Sequence, residues 1–412
     1  MSDAPNAIGP PAVEWCEQHF DYLAPEVAQH LDEALSTMRS QCPVARSDAH
    51  DGYWIATRYD DVVRVAQDWQ AFSSAHGVSV PENPSVAKAI PEHVDPPLHR
   101  EYKRLINTYF TRQAVARYEH RTRELVTGLI DSFVERGRCD FMSEFARPFP
   151  GRAFFELVLN APADEAARLN ELSMKVSLPT SQDRAAASRA MQEWIVGFVA
   201  ERRMRPSCGD VVDRVLGAEI EGRPITDDEI VAIIHLLILG GLDTTAGALG
   251  QFMIRFCREP EIPAVLRERP ELVPSAVEEL LRLDGPFIAI GRTAMQDVEL
   301  GNRLIRAGDK VLIYWASADR DDVEFPNPNR FDLDRPANRH VAFGAGPHRC
   351  AGSHLARMNL CIAVRQLVER LRDVRLAIDA EPIRFHSALS RSPVSVPIIY
   401  SPGPRFGSEP AG

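Results

Sequence analysis

A mainly helical α+β fold is predicted by three observations. Between about 110 and 280 the apolar residues recur at helical spacing. Inside that region ITDDEIVAIIHLLILGGLDTTAGALGQFMIRFC keeps the spacing for roughly 30 residues. Short β patterns fall mainly outside it, near 53–66, 298–317 and 395–400. With 412 residues, 45% of them hydrophobic and 25% charged, the chain can bury a large core. It shows no repeat and no linker rich in Pro or Gly, which predicts one domain over 1–412, with 1–20 as an extended N-terminal segment.

Taken in order, YWIATRYDDVVRVA reads as a strand pattern at 53–66. The long helix opens with a capping box, Thr226 and Glu229, and Asp227 and Asp228 suit its positive end. Pro260 bars its continuation. At 1.5 Å per residue such a helix is about 45 Å long and crosses the whole molecule. VELGNRLIRAGDKVLIYWAS reads as a hairpin turning at Gly301 and Asn302, and SVPIIY as a last strand.

The net charge of −11 opposes a general attraction to nucleic acid or anionic membranes. MSDAPNAIGPPAVEW lacks a basic n-region and an apolar h-region, and the apolar run IVAIIHLLILGGL is short and holds His235. A cytoplasmic protein follows as the expectation. The seven cysteines (Cys16, Cys42, Cys139, Cys208, Cys257, Cys350, Cys361) are odd in number and never form a C-x-x-C pair, so neither a disulfide framework nor a structural zinc site is suggested.

Two stretches break local rules. In FGAGPHRCAG, Gly344, Ala345, Gly346 and Gly352 let the backbone approach something bulky and flat, and Cys350 sits just ahead of a helical pattern. A thiolate there gains from the helix N-terminus and from Arg349. The alternatives are a buried structural cysteine, or zinc on His348, Cys350 and His354. In GGLDTT, Gly240, Gly241, Asp243 and Thr244 interrupt an apolar helix where propensity opposes them; each mid-helix glycine costs about 1 kcal/mol relative to alanine. Either Thr244 bonds back to a carbonyl at a kink, or the cluster is a functional pocket. A third pair, Glu279 and Arg282, stands three apart in EELLRL and can join along one helix face.

FGAGPHRCAG resembles the haem-binding loop of the bacterial cytochrome P450 family of haem-thiolate monooxygenases, F-x-x-G-x-[HR]-x-C-x-G, filled here by Phe343, Gly346, His348, Cys350 and Gly352. The resemblance runs from about 50 to 400, with the motifs in the family's order. It implies a long central helix over the haem with small sheets at the edge. It makes the cofactor haem b, with Cys350 as the iron ligand. It gives Asp243 and Thr244 the role of an acid–alcohol pair that delivers protons, and Glu279, Arg282 and Arg335 of FPNPNRFDLDR the role of a buried structural network. His99, Arg292 and His348 would hold the haem carboxylates, with Lys103 where the family usually has arginine. By the same resemblance a pocket is lined by Val78, Val80, Ile90, Met174, Val176, Leu178, Leu236, Leu239, Gly240, Phe287, Ile288, Val394 and Val396. The apolar character of those positions favours a lipophilic substrate such as a terpenoid or a branched fatty-acid derivative. Electrons would come from a ferredoxin, because the sequence holds no flavin, nucleotide or iron–sulfur motif. That partner would dock on Arg100, Lys103, Arg104, Arg349 and Arg357, with the enzyme itself a monomer. A haem sensor without catalysis and a peroxide-using or isomerising thiolate enzyme are the rival readings, and the acid–alcohol pair argues against both.

Overall fold

The protein is described from a computed structural model covering residues 20–24, 27, 30–82, 88–177, 182–377, 383–385 and 390–406. The expected N-terminal extended segment therefore lies almost wholly outside the described residues, as does Leu178.

The long helix runs Asp227–Arg258 and starts as read, with the Thr226–Glu229 capping box complete and three acidic residues in its first turn. Its 32 residues come to about 48 Å. It is apolar and long enough to cross a membrane by composition, with a mean hydropathy of 1.8 over its most apolar window. Here it packs inside the fold, against Pro148–Ala153, Glu165–Ser177, Arg184–Met204, Val273–Asp284 and Ser353–Arg370. Its first half, Ile230 to Leu242, belongs to one core cluster with Phe154, Phe155 and Ile195. Its second half, Ala248 to Phe256, belongs to another with Phe141, Phe145 and Leu280. The GGLDTT stretch lies at the seam between the two.

Beside this helical body stands a five-stranded sheet in the order Val44–Ser47, Tyr53–Ala56, Lys310–Tyr314, Ala289–Ala294, Phe72–Ser73. Lys310–Tyr314 runs parallel to Tyr53–Ala56 and antiparallel to Ala289–Ala294, with Val311 opposite Arg292. The short edge strand sets Ser73 opposite Thr293. Arg292 and the Ser73–Ser74 corner are thereby brought to one end of the sheet. A second sheet joins Arg372–Leu376, Pro397–Ser401 and Arg138–Asp140.

The hairpin Val298–Leu300/Arg303–Ile305 turns at Gly301 and Asn302, both with positive φ, as expected. The 53–66 stretch differs from its reading. Only Tyr53–Ala56 is a strand, and Tyr59–Gln67 is a helix burying Val62, Val65 and Ala66, whose i, i+3, i+4 spacing outweighs the local alternation. Likewise the end of the 298–317 pattern turns into a short helix, Trp315–Ala318.

Candidate active site

Cys350 sits in a loop pressed against its neighbours. The Cys350 N–H donates to the Phe343 carbonyl (2.8 Å) and that of Gly344 to Val341 (2.8 Å), closing the loop before helix Ser353–Arg370 begins. At Gly346, φ is +68°, and a Cβ would strike the backbone of Ala66 and Gln67, so only glycine lets the loop lie this close to Tyr59–Gln67. Among the described residues, Cys208 and Cys350 are the exposed thiols, and the others are buried or half-buried. Dense surroundings push the Cys350 thiol up, opposed by the Gly352 N–H and by the charges of Lys103, Arg349 and Arg357.

On the long helix, Leu236, Leu239, Gly240, Asp243 and Thr244 follow i, i+3, i+4, i+7, i+8 spacing and all keep some exposure. Ile234, Leu237, Ile238, Leu242 and Thr245 around them are buried. The middle of a core helix thus carries an open stripe. Ala351 and Leu355, just past Cys350, belong to the same cluster as Leu239 and Leu242, which brings the loop toward this stripe. The two glycines differ: a Cβ on Gly241 would come within 2.7 Å of the Phe154 ring, whereas one on Gly240 would meet nothing within 4 Å. Gly241 is a packing glycine, and Gly240 faces open space.

Thr244 Oγ1 donates to the Gly240 carbonyl at 2.9 Å, the back-bond that the sequence left open. Asp243 accepts a hydrogen bond from Ser392 Oγ at 3.0 Å. The Arg147 guanidinium feels the Asp243 charge and holds the carbonyls of Pro393 (3.0 Å) and Val394 (2.7 Å).

Three basic side chains, the buried His99 and Arg292 and the half-buried His348, meet here, and among the described residues none of them is in direct ion-pair contact with a carboxylate, although the Glu92 and Asp95 charges reach Arg292. His99 is 2% exposed, and neither ring nitrogen has a hydrogen-bond partner among the described residues. Arg292, also 2% exposed, donates to its neighbour's carbonyl, Gly291, at 2.7 Å. The His348 ring lies 4.3 Å from that of His99. Burial pushes His99 down to about 4, His348 to about 2 and Arg292 to about 10, and the charges of Lys103 and Arg292 act in the same direction on both histidines. Such orphaned donors fit a ligand that brings carboxylates. Together with an accessible thiol in a glycine-lined loop and an apolar stripe, they fit the haem expected from the sequence.

Lys103, which stands where the family usually has arginine, turns to the Cys350 loop. Its ammonium donates to the carbonyls of Pro347 and Arg349 (2.6 Å to the latter), strapping the Cys350 loop to helix Leu98–Asn107. Burial lowers it to about 8, against the pull of Cys350. A flexible point charge can turn to backbone oxygens in a way a planar guanidinium fork does not.

Glu279 and Arg282 form a fully buried bidentate pair (2.7 and 2.8 Å). Arg335 Nε lies 3.1 Å from both Glu279 oxygens, and Asn338 Nδ2 and the Asp332 N–H complete the set. The network expected of these residues is thus assembled, and Arg282 carries it to the carbonyls of Asp319 and Pro328.

Of the pocket residues, Val78, Ile90, Met174, Leu236, Leu239 and Val394 are half-buried, and Phe287 is exposed. Val80 and Ile288 are instead buried in the core beneath the five-stranded sheet with Tyr22, Tyr53 and Tyr314, and Val176 and Val396 are buried too. Apolar character does not separate lining from core. Sequence reasoning missed Phe385, which is exposed and paired through Pro393 to the segment beside Asp243, and Ser74 and Asp95 behind His348. On the presumed docking face Arg100, Arg104 and Arg349 are exposed, but Arg357 is committed to Glu278 (2.6 and 2.8 Å) and lies over the Phe343 ring.

Comparison with known proteins identifies the family. The family description Cytochrome P450 matches residues 171–375. The chain is 35% identical to nocardicin C N-oxygenase of Nocardia uniformis subsp. tsuyamanensis, over 91% of this chain and 96% of that protein. It is 31% identical to a steroid C26-monooxygenase of Mycobacterium tuberculosis (strain CDC 1551 / Oshkosh), over 90% and 100%. Among solved structures, CYP109E1 from Bacillus megaterium in complex with testosterone superposes with a TM-score of 0.83, at 26% identity over 92% of this chain and 99% of that one. A Cys350 loop, a seam in the long helix and relatives matched over nine-tenths of their length lead to one assignment: the chain belongs to the cytochrome P450 family of haem-dependent monooxygenases.

Proposed function

We propose that this monooxygenase inserts one oxygen atom from O2 into a C–H bond of a small lipophilic substrate, with haem b held by Cys350 and with His99, Arg292 and His348 on the haem carboxylates. The observation that carries the reading is the meeting of His99, whose ring nitrogens have no hydrogen-bond partner among the described residues, with Arg292 and His348, beside an exposed cysteine in a tight glycine loop. When bound, the haem supplies the activation of dioxygen, and a thiolate ligand favours O–O cleavage.

The chain's own residues do the rest. The Cys350 loop, held by Lys103 and by the backbone bonds to Phe343, fixes the sulfur. Thr244 spends its proton on the Gly240 carbonyl, so its oxygen keeps lone pairs free to accept a hydrogen bond, and rotation of the hydroxyl passes a proton onward. Asp243, one residue earlier and steadied by Ser392, is the group that takes up protons for that hydroxyl. Leu236, Leu239 and Val394 exclude water and hold the substrate by apolar contact.

A terpenoid or branched fatty-acid-like substrate suits this lining, and the steroid in two of the relatives' descriptions is lipophilic as well. The whole chain acts as one catalytic domain, cytoplasmic, served by a separate ferredoxin that docks at Arg100, Arg104 and Arg349. The test is spectroscopic. Reduced protein under carbon monoxide should show a strongly red-shifted Soret band that disappears in Cys350→Ala. A band that survives the substitution refutes the ligand assignment.

A further inference from the structure

Ser74 and Asp95 have no place in the chemistry above, yet they form a hydrogen-bonded polar cluster beside it. Ser74 is fully buried. Its backbone N–H and its hydroxyl both donate to Asp95 Oδ1, each at 3.0 Å, and Ser73 Oγ donates to Asp95 Oδ2. On its other side Ser74 Oγ lies 3.0 Å from His348 Nε2. Two tertiary features assemble the cluster. The Phe72–Ser73 strand pairs with Ala289–Ala294, and Asp95 stands just ahead of helix Leu98–Asn107, accepting the His99 N–H on its own carbonyl (3.0 Å).

The chain of bonds has a direction. A carboxylate only accepts, and a charge-assisted bond outcompetes a neutral one, so the Ser74 hydroxyl proton goes to Asp95. The Ser74 oxygen is left to accept, and the proton between it and His348 must sit on Nε2. That fixes tautomer and ring plane together, as a hydrogen bond to one ring nitrogen settles which nitrogen serves a ligand. The ring's hydrogen bond among the described residues is made by Nε2, and the other nitrogen, Nδ1, is the atom left for a ligand.

Resting on the haem reading above, we infer that Asp95 and Ser74 form a positioning relay that locks His348 with Nδ1 turned to a haem carboxylate, so that cofactor retention depends on two residues that never touch the cofactor. With Nε2 protonated, a hydrogen bond between Nδ1 and a carboxylate requires one further proton, taken up from solvent when the haem binds and shared between the two. Neither residue is a catalytic residue, and Cys350 ligation does not involve them.

The test uses the haem-loaded protein and measures transfer of haem to excess apomyoglobin. Loss of such an outer partner typically weakens binding about 10–100-fold. Ser74→Ala should therefore release haem at least about tenfold faster, while the carbon monoxide spectrum of the reduced protein keeps its thiolate position. Ser74→Thr, which retains the hydroxyl, should release at nearly the wild-type rate. Asp95→Asn should match Ser74→Ala, and the double variant should be no faster than either, because both break one chain. Wild-type release rates in Ser74→Ala, or additive effects in the double variant, overturn the relay and leave Cys350 ligation standing. A wild-type protein that takes up no haem overturns both readings.

Discussion

Replacing Asp319 with asparagine should make the protein markedly less sensitive to alkaline conditions. The residue follows the short helix Trp315–Ala318 and is 1% exposed. Its Oδ1 accepts the Val341 N–H at 2.7 Å, where the Cys350 loop begins. Burial raises the carboxyl from an ordinary 3.8 to about 7, although His340, the Val341 N–H, Arg282 and Arg320 all pull the other way. A folded value above the unfolded one means that stability is fully present below about 4 and is lost as pH climbs to about 7, after which the loss is constant. About three units at roughly 1.4 kcal/mol each come to about 4 kcal/mol, of which about 3 kcal/mol falls between pH 5 and pH 8. Asparagine keeps the acceptor for Val341 and carries no charge; its added NH2 needs a partner and costs on the order of 1 kcal/mol. Urea unfolding of wild type and Asp319→Asn at pH 5 and pH 8, with unchanged slopes, measures the difference. The variant should gain about 3 kcal/mol on wild type between the two. Parallel pH profiles would show that Asp319 is ionised in the folded protein and that the reasoning from burial fails.

Three further expectations are open to direct measurement. Glu279→Ala leaves Arg282 and Arg335 buried without their anion and should cost about 3–5 kcal/mol in urea unfolding; a loss below about 1 kcal/mol, the level of an exposed pair, would mean the network is dispensable. Thr244→Ala should go on consuming reducing equivalents while releasing peroxide in place of product, and Asp243→Asn should slow turnover; unchanged coupling and rate in both would reduce them to polar residues of a helix seam. Arg100→Glu or Arg104→Glu should slow reduction by ferredoxin in stopped flow without altering substrate-induced spectra. The effect should fade with salt as the screening length shrinks from about 10 Å at 0.1 M to about 3 Å at 1 M, and salt-independent rates would move the docking site elsewhere.

What was legible in the sequence was local. The start of the long helix lies in Thr226 and Glu229, three residues apart, and the Glu279–Arg282 pair is likewise a matter of one helix turn. Hairpin chemistry at Gly301 and Asn302 is local too. The remainder depended on where distant segments meet. Ser74, Asp95 and His348 are ordinary residues until the sheet and two helices converge, and no spacing rule joins positions so far apart. Charge alone did not say that Lys103 would turn to loop carbonyls or that Arg357 would be claimed by Glu278. Val80 and Ile288 are chemically suited both to a pocket and to a core, and only the packing under the sheet decides between them. At 53–66 two periodicities overlap, and the helical one prevails where Val62, Val65 and Ala66 find a common apolar surface.

The grip of Glu278 makes residues 340–357 a ring. One carboxylate binds His340 ahead of the cysteine (2.9 Å) and Arg357 beyond it (2.6 and 2.8 Å), so both ends of the segment are tied to a single point on helix Val273–Asp284. A disulfide would close the same loop, but it would set two more sulfurs beside a thiol that exchanges with disulfides. A clasp made of charge avoids that chemistry. The hydrogen bonds from His340 and Arg357 and the Arg357 charge hold Glu278, against the cost of its burial, down at about 2. The closure therefore contributes fully above the ordinary carboxylate range and is lost only as pH falls toward 2. Across the neutral range the ring behaves as a permanent link, and the sulfur at its far side inherits the rigidity of a helix some seventy residues upstream in sequence.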